Sequence, residues 1–507
     1  MPVLQARIQA LIQHLSAGMH EREEIIAVSL LGALSGLNTF LYGPPGTAKS
    51  LIARRIACGF ENPAYFECLM NRFSTPEEVF GPVSIQALKE DRYVRKTQGY
   101  LPTADFAFLD EIWKSSPAIL NALLTLINER LFRNGDRVEP APLKALIAAS
   151  NEVPEANQGL DALYDRFTVR LMVGPIAQND HFDLLLDSPP APASIEVPEH
   201  LRIQLAEWLQ WRERIAAVKL SKQSLMSIHR IREALNAQRE ALQVYVSDRR
   251  WQRAATLMKA SAFFNDRTET HHSDALLLQH CLWTTMDNRT QVAEIVAQAI
   301  AETGFEGCEH LDAMDEELAT LDHDLHEALF HSDHVYQTHT QGGKEYFRVN
   351  AKFAVPRYRD EGHQVELLIP IDKARSSEPF NPLTLKLGKV YDISGRFDEQ
   401  GVCGLSFRAD HELFLYTPVI ISRKGERKPD VDPQVVQALS GALEALKTRL
   451  AGIVAPAQLQ VHQQSQRADS PFVPQRQTER AQAALREQLG SLEMRVKDCE
   501  RLEALCH

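Results

Sequence analysis

Short apolar runs alternate with amphipathic segments along residues 1–190 of the chain. Four of these runs predict buried strands, at residues 39–42, 64–70, 106–109 and 143–150. Between them, apolar residues recur three and four positions apart, which is the spacing of one helix face. Repeated alternation of strand and helix is typical of a parallel sheet flanked by helices. We therefore predict an α/β nucleotide-binding core over residues 1–190.

The hydrophobic pattern changes beyond this predicted core. Residues 191–305 carry helical spacing almost throughout and predict an all-α lid. Three later stretches alternate spacings of three and four, which is typical of coiled-coil seams. The seams are Leu311, Met314, Leu318, Leu321, Leu325 and Ala328; Val436, Leu439, Leu443, Leu446 and Leu450; and Leu485, Leu489, Leu492, Val496 and Cys499. Residues 340–425, between the first two seams, switch to β signals.

These patterns predict a helical bundle that is discontinuous in sequence. We assign its three helices to residues 306–335 and 431–507, with a small β-rich, partner-binding module inserted at residues 336–430. Three unrelated amphipathic helices are the alternative interpretation. Residues 455–478 are rich in Gln, Ser and Pro, and this composition predicts a mobile connection.

A glycine-rich loop stands between the first predicted strand and the next predicted helix, where residues 43–50 read GPPGTAKS. This context is that of a phosphate-binding P-loop, G-x-x-x-x-G-K-[ST], except that Ala48 replaces the second glycine. Backbone N–H groups of such a loop point at phosphate oxygens, and the helix N-terminus favours negative charge. Lys49 would reach the β- and γ-phosphates, and the Ser50 hydroxyl would hold Mg²⁺. A simple turn rich in Gly and Pro is the alternative.

Two carboxylates follow the apolar run at residues 106–109, where the chain reads FAFLDE. Asp110 suits Mg²⁺, directly or through water, and Glu111 suits the orientation of an attacking water as a general base. Two carboxylates that end an apolar strand at this distance from a P-loop are seldom structural accidents. The two motifs together predict a nucleoside triphosphatase that uses Mg²⁺.

Further polar residues are candidates for the same chemistry. Asn151 ends a predicted strand and could hydrogen-bond both the γ-phosphate and the water, although a strand-end turn is its ordinary role. Arg166 stands in a short polar gap before another apolar run, where it would be a guanidinium finger, and Arg170 is a weaker candidate. Arg249 begins a predicted lid helix, from which it could touch the γ-phosphate. Exposed arginines are usually only solvated, so these assignments depend on position.

Composition narrows the class of partner and the compartment. The 507 residues carry a formal charge of −12, which argues against a general nucleic-acid or anionic-membrane binder. The seven cysteines are odd in number and lack a C-x-x-C pair, so we expect reduced thiols rather than disulfides or a zinc site. No apolar run approaches the length of a membrane span, and no signal-peptide pattern opens the chain. We expect a cytoplasmic protein.

One group of histidines resembles a metal cluster: His323, His326, His331, His334 and His339. The neighbouring Leu321 and Leu325 belong to the first seam, which turns the face of His323 and His326 outward. We interpret the group as a solvated face, and a metal site is the alternative.

The motifs of the predicted core resemble those of AAA+ ATPases, in the arrangement of the MoxR family. The resemblance includes GPPGTAKS, FLDE, AASN ending at Asn151 and LYDRF around Arg166. Four longer segments resemble the RavA branch (regulatory ATPase variant A), namely RFSTPEEVFGP at 72–82, LDEIWKSSPAILN at 109–121, INERLFRNG at 127–135 and VSDRRW at 246–251. Beyond residue 300 the likeness is one of layout, a split helical bundle with an inserted β module.

The resemblance implies a role for each candidate residue. Asp110 is then the Walker B metal residue, beside Ser50, and Glu111 is the catalytic glutamate. Asn151 is sensor 1, Arg249 is sensor 2, and Arg166 is the arginine finger that acts on a neighbouring subunit. The residues implied to bind the nucleotide are His20, which packs the adenine, Gly43, Gly46, Thr47, Ala48, Lys49, Ser50 and Leu51. MoxR-type ATPases frequently carry Ala where Ala48 stands here.

The resemblance also implies a function. It is that of a chaperone-like remodelling ATPase, which binds ATP, ADP and Mg²⁺, hydrolyses ATP in a homo-hexameric ring and acts on protein partners. It implies a partner with a von Willebrand factor type A domain and, for the RavA branch, the inducible lysine decarboxylase and a link to acid stress. One alternative is an AAA+ nucleic-acid motor or loader, which the acidic charge disfavours. The other is a nucleotide-gated adaptor, which the intact Glu111 and Arg166 disfavour.

Overall fold

The structure is a computed structural model of the 507-residue chain. It describes residues 4–154, 160–303, 311–353, 363–376, 378–385, 387–398, 400–407, 413–466 and 470–506. The chain forms two compact units. The first unit comprises Met1–Leu311 and Arg449–Val496, and the second comprises Asp312–Thr448 and Lys497–His507.

The first unit begins with alternating helices and strands, as the apolar pattern predicts. Its helices are α1 Leu4–Ser16, α2 Glu23–Leu34, α3 Lys49–Cys58, α4 Pro76–Phe80, α5 Ile85–Leu88, α6 Pro117–Glu129, α7 Asp161–Tyr164 and α8 Asn179–Asp187. Its strands are β1 Asn38–Tyr42, β2 Tyr65–Leu69, β3 Phe106–Asp110, β4 Leu131–Asn134, β5 Arg137–Pro140, β6 Ala145–Ser150 and β7 Phe167–Met172. The strands β4 and β5 form a separate antiparallel hairpin.

A parallel sheet with the strand order β2-β3-β6-β1-β7 lies at the centre of this unit. The register pairs Tyr42 with Ser150, so the carboxyl ends of β1 and β6 lie at one edge of the sheet. Asp110 pairs with Ala149, which brings the carboxyl end of β3 to the same edge. Phe167 pairs with Asn38, so the amino ends of β7 and β1 lie together at the opposite edge. The predicted fold class, a parallel sheet flanked by helices, is confirmed.

Helices cover both faces of this sheet, and neighbouring strand residues face opposite sides. Phe106 and Phe108 belong to a core formed with α1, α2 and α3. Ala107 and Leu109 belong to a second core, formed with α4 and α6. A sheet buried on both faces requires apolar residues at every strand position, which explains the unbroken apolar runs in the sequence.

A mainly helical lid follows the α/β part of the first unit, as predicted. Its helices are α9 Leu205–Ala217, α10 Lys222–Ala237, α11 Arg239–Leu242, α12 Asp248–Phe264 and α13 Met286–Glu302, with a 3-10 helix at His272–His280. The indole of Trp208 donates a hydrogen bond to the Ala33 carbonyl at 3.1 Å. The hydroxyl of Tyr164 donates to the Thr284 carbonyl at 2.8 Å. These bonds and a shared apolar core hold the lid against the α/β part.

The second unit carries small antiparallel sheets between helices. The helices of this part of the chain are α14 Leu311–Leu329, α15 Pro433–Gln466 and α16 Gln475–Cys506. The strands are β8 Phe330–Tyr336, β9 His339–Gln341, β10 Lys344–Phe353, β11 His363–Pro370, β12 Ile393–Phe397, β13 Cys403–Phe407, β14 Leu413–Tyr416 and β15 Ile420–Arg427. They form the sheets β11-β10-β9, β12-β13-β14 and β15-β8. Phe347 and Phe397 contribute to the apolar core of these sheets.

The predicted order along the chain, one helix, an inserted β part and two further helices, is also confirmed. Seam residues of all three helices are buried, among them Leu325 on α14, Leu446 on α15 and Leu492 on α16. Polar contacts also join α15 and α16. In the second unit Lys447 Nζ lies 2.6 Å from the Glu503 carboxylate, and in the first unit Gln458 donates to the Glu493 carboxylate at 2.8 Å. Although α15 and α16 are long, no helix among the described residues combines the length and apolar character that a membrane span requires.

The prediction of a mobile connection at residues 455–478 is wrong. Helix α15 continues to Gln466, with Pro456 inside it. The turn after it is anchored in the first unit, because Phe472 is 1% exposed and belongs to the core that α1 and α2 share with the lid. Gln279 on the lid donates a hydrogen bond to the Gln477 side chain at 2.6 Å. The composition of the whole segment predicts mobility because it is mostly polar. The apolar pair Phe472-Val473 within it is nevertheless enough to anchor the segment.

Replacing Phe472 by Ala tests this anchor. We expect the free energy of unfolding of the first unit to fall by about 3 kcal/mol, because a large buried ring is replaced by a cavity. Phe182→Ala is the matched control, since that ring is 47% exposed and should lose less than about 1 kcal/mol. Denaturant unfolding followed by tryptophan fluorescence measures both, and equal midpoints for the two variants would contradict the assignment.

Candidate functional site

The loop at residues 43–48 joins β1 to α3 at the carboxyl edge of the sheet. The Gly43 N–H donates to the Ser150 carbonyl at 3.1 Å, which ties the start of the loop to β6. A Cβ atom at Gly43 would lie 2.1 Å from the Val173 carbonyl oxygen, so no larger residue fits there. Gly46 has φ +79° and is open to solvent on its Cβ side. The loop therefore needs these two glycines for different reasons, a close backbone approach and a positive φ.

Ala48 is the one departure from the P-loop pattern, since it stands where the motif has its second glycine. It precedes the first residue of α3 and has φ 67° and ψ 27°, the left-handed conformation. A glycine adopts this conformation without strain, whereas an alanine pays about 1–2 kcal/mol for it. The backbone geometry of the motif is thus kept although its second glycine is absent.

The Lys49 side chain folds back over the loop that precedes it. Its Nζ donates to the carbonyls of Gly43 at 2.7 Å and Pro44 at 2.8 Å. The Thr47 hydroxyl donates to the same Pro44 carbonyl at 2.9 Å. Burial lowers the pKa of the Lys49 ammonium, and the nearby Asp110 and Glu111 carboxylates oppose this shift. The loop therefore holds a buried positive charge within the field of the two carboxylates.

Asp110 and Glu111 stand beside this charge at the end of β3. Burial raises the pKa of the Asp110 carboxyl, while the Glu111 N–H, 3.1 Å from Asp110 Oδ1, and Lys49 oppose the shift. Glu111 has φ 52°, a strained left-handed conformation that turns the chain sharply after the strand. Its carboxylate lies 3.1 Å from Lys114 Nζ and accepts a long hydrogen bond of 3.4 Å from the Ser150 hydroxyl.

The contacts of Glu111 were not predicted from the sequence. Lys114 lies three residues beyond Glu111, at the end of the 3-10 helix Ile112–Lys114, and that spacing was the available signal. The contact between Ser150 and Glu111 could not be predicted, because the sequence pattern makes Ser150 simply the last residue of an apolar strand. The neighbouring Asn151 is exposed at the same sheet edge, directly after β6. All of the candidates that follow β1, β3 and β6 therefore lie together.

His20 belongs to a second structure at this edge. Its ring stacks on that of His181, with centroids 5.9 Å apart and planes inclined by 24°. The adjacent Glu21 accepts hydrogen bonds from the N–H groups of Ala177 at 2.8 Å and Gln178 at 2.9 Å, which lower the pKa of its carboxyl to about 2. His20 is thereby placed beside the segment that leaves β7. His181 was not predicted as its neighbour.

Ser50 completes the set of residues that suit a nucleotide and Mg²⁺. It occupies the first turn of α3, two residues after the left-handed Ala48, and is half-buried. The Ser50 hydroxyl and the Asp110 carboxylate are hard oxygen ligands of the type Mg²⁺ prefers, and the Lys49 ammonium suits phosphate. Leu51 follows on α3. The chemistry of these groups fits a nucleoside triphosphate with Mg²⁺.

Arg166 lies at the opposite edge of the sheet. It directly precedes β7, whose first residue Phe167 pairs with Asn38 at the amino end of β1. The five residues of β1 separate this edge from the loop by roughly 13 Å, at about 3.3 Å per residue. Arg166 Nε donates to the Asn128 side chain at 2.6 Å, and its guanidinium also donates to the Ala162 carbonyl.

Arg249 lies near Arg166. It is the second residue of α12, and the Ser247 hydroxyl before it donates to Asp165 Oδ2 at 2.7 Å. The guanidinium of Arg249, after burial, is the largest influence that lowers the pKa of Arg166. The predicted site residues therefore form two groups, one at each edge of the sheet.

Arg170 has a structural role, because backbone carbonyls and an aromatic ring already engage its guanidinium. It is fully buried and donates to the carbonyls of Phe167 at 3.0 Å, Trp283 at 2.6 Å and Tyr164 at 3.0 Å. Its guanidinium also stacks on the Tyr164 ring at 3.7 Å. Of the two arginines considered for the finger, Arg166 has the partly exposed side chain that the role needs.

The histidine group at residues 323–339 provides no metal site within the described part of the chain. His323 is exposed, as its position beside the seam predicts. Among the residues whose positions the structure describes, no group of three His, Cys, Asp or Glu side chains could hold a metal ion. His334 belongs to β8, but its side chain lies outside the described features.

Comparison with known proteins matches the same region of the chain. Residues 6–199 match the family described as the MoxR domain in the MoxR-vWA-beta-propeller ternary systems. Residues 223–296 match the family described as the AAA lid domain. These two segments contain every predicted site residue, with Arg249 in the second.

Relatives of known sequence extend the comparison. Uncharacterized protein MJ0079 of Methanocaldococcus jannaschii is 36% identical over 320 residues, which are 62% of this chain and 81% of that protein. Uncharacterized protein MJ0812 of the same organism is 36% identical over 323 residues, 62% of this chain and 83% of that protein. Structural protein ORF618 of Acidianus two-tailed virus is 34% identical over 145 residues, 28% of this chain and 24% of that protein.

Replacing Ala48 by Gly tests the geometry of the loop. We expect the free energy of unfolding to rise by up to about 1 kcal/mol, because glycine removes the left-handed strain. Ala53→Gly, inside α3, is the matched control and should lose at least about 1 kcal/mol. Denaturant unfolding measures both variants. A loss of stability in Ala48→Gly equal to that of the control would show that residue 48 is not left-handed.

Proposed function

The chain belongs to the MoxR family of AAA+ ATPases, and we propose that it hydrolyses ATP in an oligomeric ring and uses this hydrolysis to remodel protein partners. The observation that carries the proposal is the separation of the site residues into two groups. Lys49, Asp110 and Glu111 lie at the carboxyl edge of the sheet, whereas Arg166 lies at the amino edge and Arg249 lies near it on the lid. We infer that Arg166 and Arg249 of an adjacent subunit, rather than those of the same subunit, reach a triphosphate held at the carboxyl edge.

Each residue at the carboxyl edge has a role that its geometry supports. Lys49 supplies a positive charge that the loop already holds in place, so little ordering is needed when phosphates bind. Ser50 and Asp110 would hold Mg²⁺, which supplies neutralisation of the charge that develops on the phosphate oxygens. Glu111 would orient the attacking water, and Asn151 lies at the same edge to hydrogen-bond the water or the γ-phosphate.

The contacts of Glu111 fix the position of its carboxylate. Its carboxylate is held by Lys114 and, more weakly, by Ser150, both of which are hydrogen-bond donors. A carboxylate that accepts two such bonds has fewer lone pairs free for a water. Both contacts fall on Glu111 Oε2, so Oε1 would be the oxygen that accepts a hydrogen bond from the attacking water while Lys114 holds the carboxylate in place.

We also propose which proteins this ATPase binds. The matched family is described in systems with a vWA protein, and this supports a partner with a von Willebrand factor type A domain. The hexameric ring, the RavA branch, its link to the inducible lysine decarboxylase and stress response, and the cytoplasmic location rest on the sequence resemblance alone and stay predictions. We propose residues 336–430 as the partner-binding module on the same basis.

Variants of Lys49 and Glu111 separate binding from hydrolysis. Lys49→Ala should abolish ATP binding, because it removes the charge held by the loop. Glu111→Gln should bind ATP with near-parent affinity but hydrolyse it at least a hundredfold more slowly, since an amide cannot accept a proton from water. Titration calorimetry and a phosphate-release assay measure the two properties. Turnover by Glu111→Gln at the parent rate would rule out this residue as the base.

Mixed rings test the action of Arg166 across the subunit boundary. Arg166→Ala should lower hydrolysis about a thousandfold or more and leave ATP binding intact. Addition of Lys49→Ala subunits, which carry an intact Arg166 but no working loop, should restore part of the activity. Phosphate release as a function of the mixing ratio is the measurement, and mixtures as inactive as their components would argue that Arg166 acts within its own subunit.

The ATP-bound Glu111→Gln variant also tests the remodelling role. We expect it to retain a von Willebrand factor type A protein on an affinity resin with ATP and to release that protein when Lys49→Ala replaces it. Mass spectrometry identifies the retained proteins. Identical retained proteins for the two variants would mean that partner binding does not depend on the nucleotide.

A further inference from the structure

Five arginines lie together at the amino edge of the sheet and on the lid beside it: Arg130, Arg166, Arg212, Arg249 and Arg253. Arg249 and Arg253 are one turn apart on α12, so their side chains share one face of that helix. Arg130 donates to the Gly36 carbonyl at 3.2 Å. The Arg212 guanidinium lies against the same glycine, where a Cβ atom would be 2.8 Å from it. Arg166 donates to Asn128, two residues before Arg130, and the Ser247 hydroxyl at the start of α12 donates to Asp165, next to Arg166. The five side chains, here called the arginine cluster, therefore lie in one neighbourhood.

The electrostatic influences among these residues agree with this placement. Burial is the largest cause that lowers the pKa of Arg130 and of Arg166. The charges of Arg212 and Arg253 lower the pKa of Arg130 further, and those of Arg249 and Arg253 lower that of Arg166. The pKa of Arg253 is lowered by burial first, and then by Arg249 and Arg212. Arg253 is thus influenced both by Arg249 on its own helix and by Arg212 on α9.

The cluster lacks acidic partners among the described residues. Asp165 is the one carboxylate that favours the charged forms of Arg166 and Arg253. That carboxylate is already engaged, because it accepts the Ser247 hydrogen bond and lies 3.7 Å from the buried Arg250. In the described part of the chain, Arg249 and Arg253 make no hydrogen bond or ion pair within the protein. Positive charges this close together repel one another, and a bound anion would offset that repulsion.

The five residues differ in how freely they could bind an anion. Arg212 stacks on the Trp208 ring at 5.1 Å, and Arg130 is bonded to the Gly36 carbonyl and the Asn38 side chain. Arg253 is half-buried, and none of its five donor N–H groups is bonded to another residue that the structure describes. Its planar guanidinium suits bidentate contact with phosphate oxygens.

We propose that Arg253 is a further phosphate-contacting residue, which binds the triphosphate held by the neighbouring subunit together with Arg166 and Arg249. This inference rests on the proposed function, in which a second copy of the chain presents its nucleotide to this edge. Arg212 and Arg130 are fixed by their own contacts and contribute positive field rather than direct contact. The repulsion within the cluster then favours assembly with a nucleotide-loaded neighbour, because the triphosphate neutralises it.

The test uses the full chain with Arg253→Ala, Arg253→Lys and a matched control. Lys259→Ala removes a positive charge from the same helix outside the cluster. We expect kcat/KM for ATP to fall at least tenfold in Arg253→Ala, to fall less in Arg253→Lys and to stay within twofold in Lys259→Ala. We also expect the thermal unfolding midpoint of Arg253→Ala to equal or exceed that of the parent, since a repelling charge is removed. A structural role would instead lower that midpoint.

Mixed rings then locate the contact. Arg253→Ala subunits mixed with Lys49→Ala subunits should regain activity, because the second variant supplies an intact Arg253 to the working loop of the first. Unchanged kcat/KM in Arg253→Ala, or mixtures without recovery, would overturn the inference while an active parent leaves the proposed function standing. A parent without ATPase activity would overturn both.

Binding of a fluorescent single-stranded oligonucleotide provides the last comparison. We expect the parent and Arg253→Ala to bind it equally weakly. Loss of oligonucleotide affinity in Arg253→Ala, with its ATPase activity unchanged, would show that the cluster serves nucleic acid and that the inference is wrong.

Discussion

The parallel register of the buried sheet determines where each functional group of this protein lies. Because β1, β3 and β6 run in the same direction, the residues that follow them meet at one edge, and Lys49, Asp110 and Asn151 are brought there together. Arg166 precedes β7 instead of following it, so the same register puts it at the other edge. The polar groups stand beyond the strand ends, and the strands themselves can remain apolar on both faces. The proposed dependence of each subunit on its neighbour follows from this one constraint.

Several unfavourable features are concentrated around these two edges. Glu21, Ala48 and Glu111 have positive φ, and Lys49 is buried with only carbonyl partners and nearby carboxylates. The arginine cluster adds like-charge repulsion at the opposite edge. Strain of this kind persists where the surrounding structure fixes it, and here the apolar cores on both sheet faces do so. In the proposed function, bound nucleotide and Mg²⁺ offset part of these costs.

Much of this arrangement could be predicted from the sequence, because its signals are local. The apolar runs before the loop at 43–50 and before Asp110 identify buried strands, and the motifs after them identify the carboxyl edge. The positions of Arg249 and Phe472 could not be predicted in this way. Arg249 depends on how the lid packs, through contacts such as Ser247 to Asp165, and Phe472 depends on a core formed by residues distant in sequence. Spacing likewise could not separate the buried Arg170 from Arg166, since only tertiary packing distinguishes them.

The central claim is that one triphosphate is served by residues from two subunits. Specific ATPase activity, measured as phosphate released per subunit over a wide range of protein concentration, tests it most directly when sedimentation reports the assembly state of the same samples. The account predicts that activity per subunit is very low in the dissociated protein and rises to a plateau as subunits associate. Full activity per subunit in samples that sediment as single chains would contradict it.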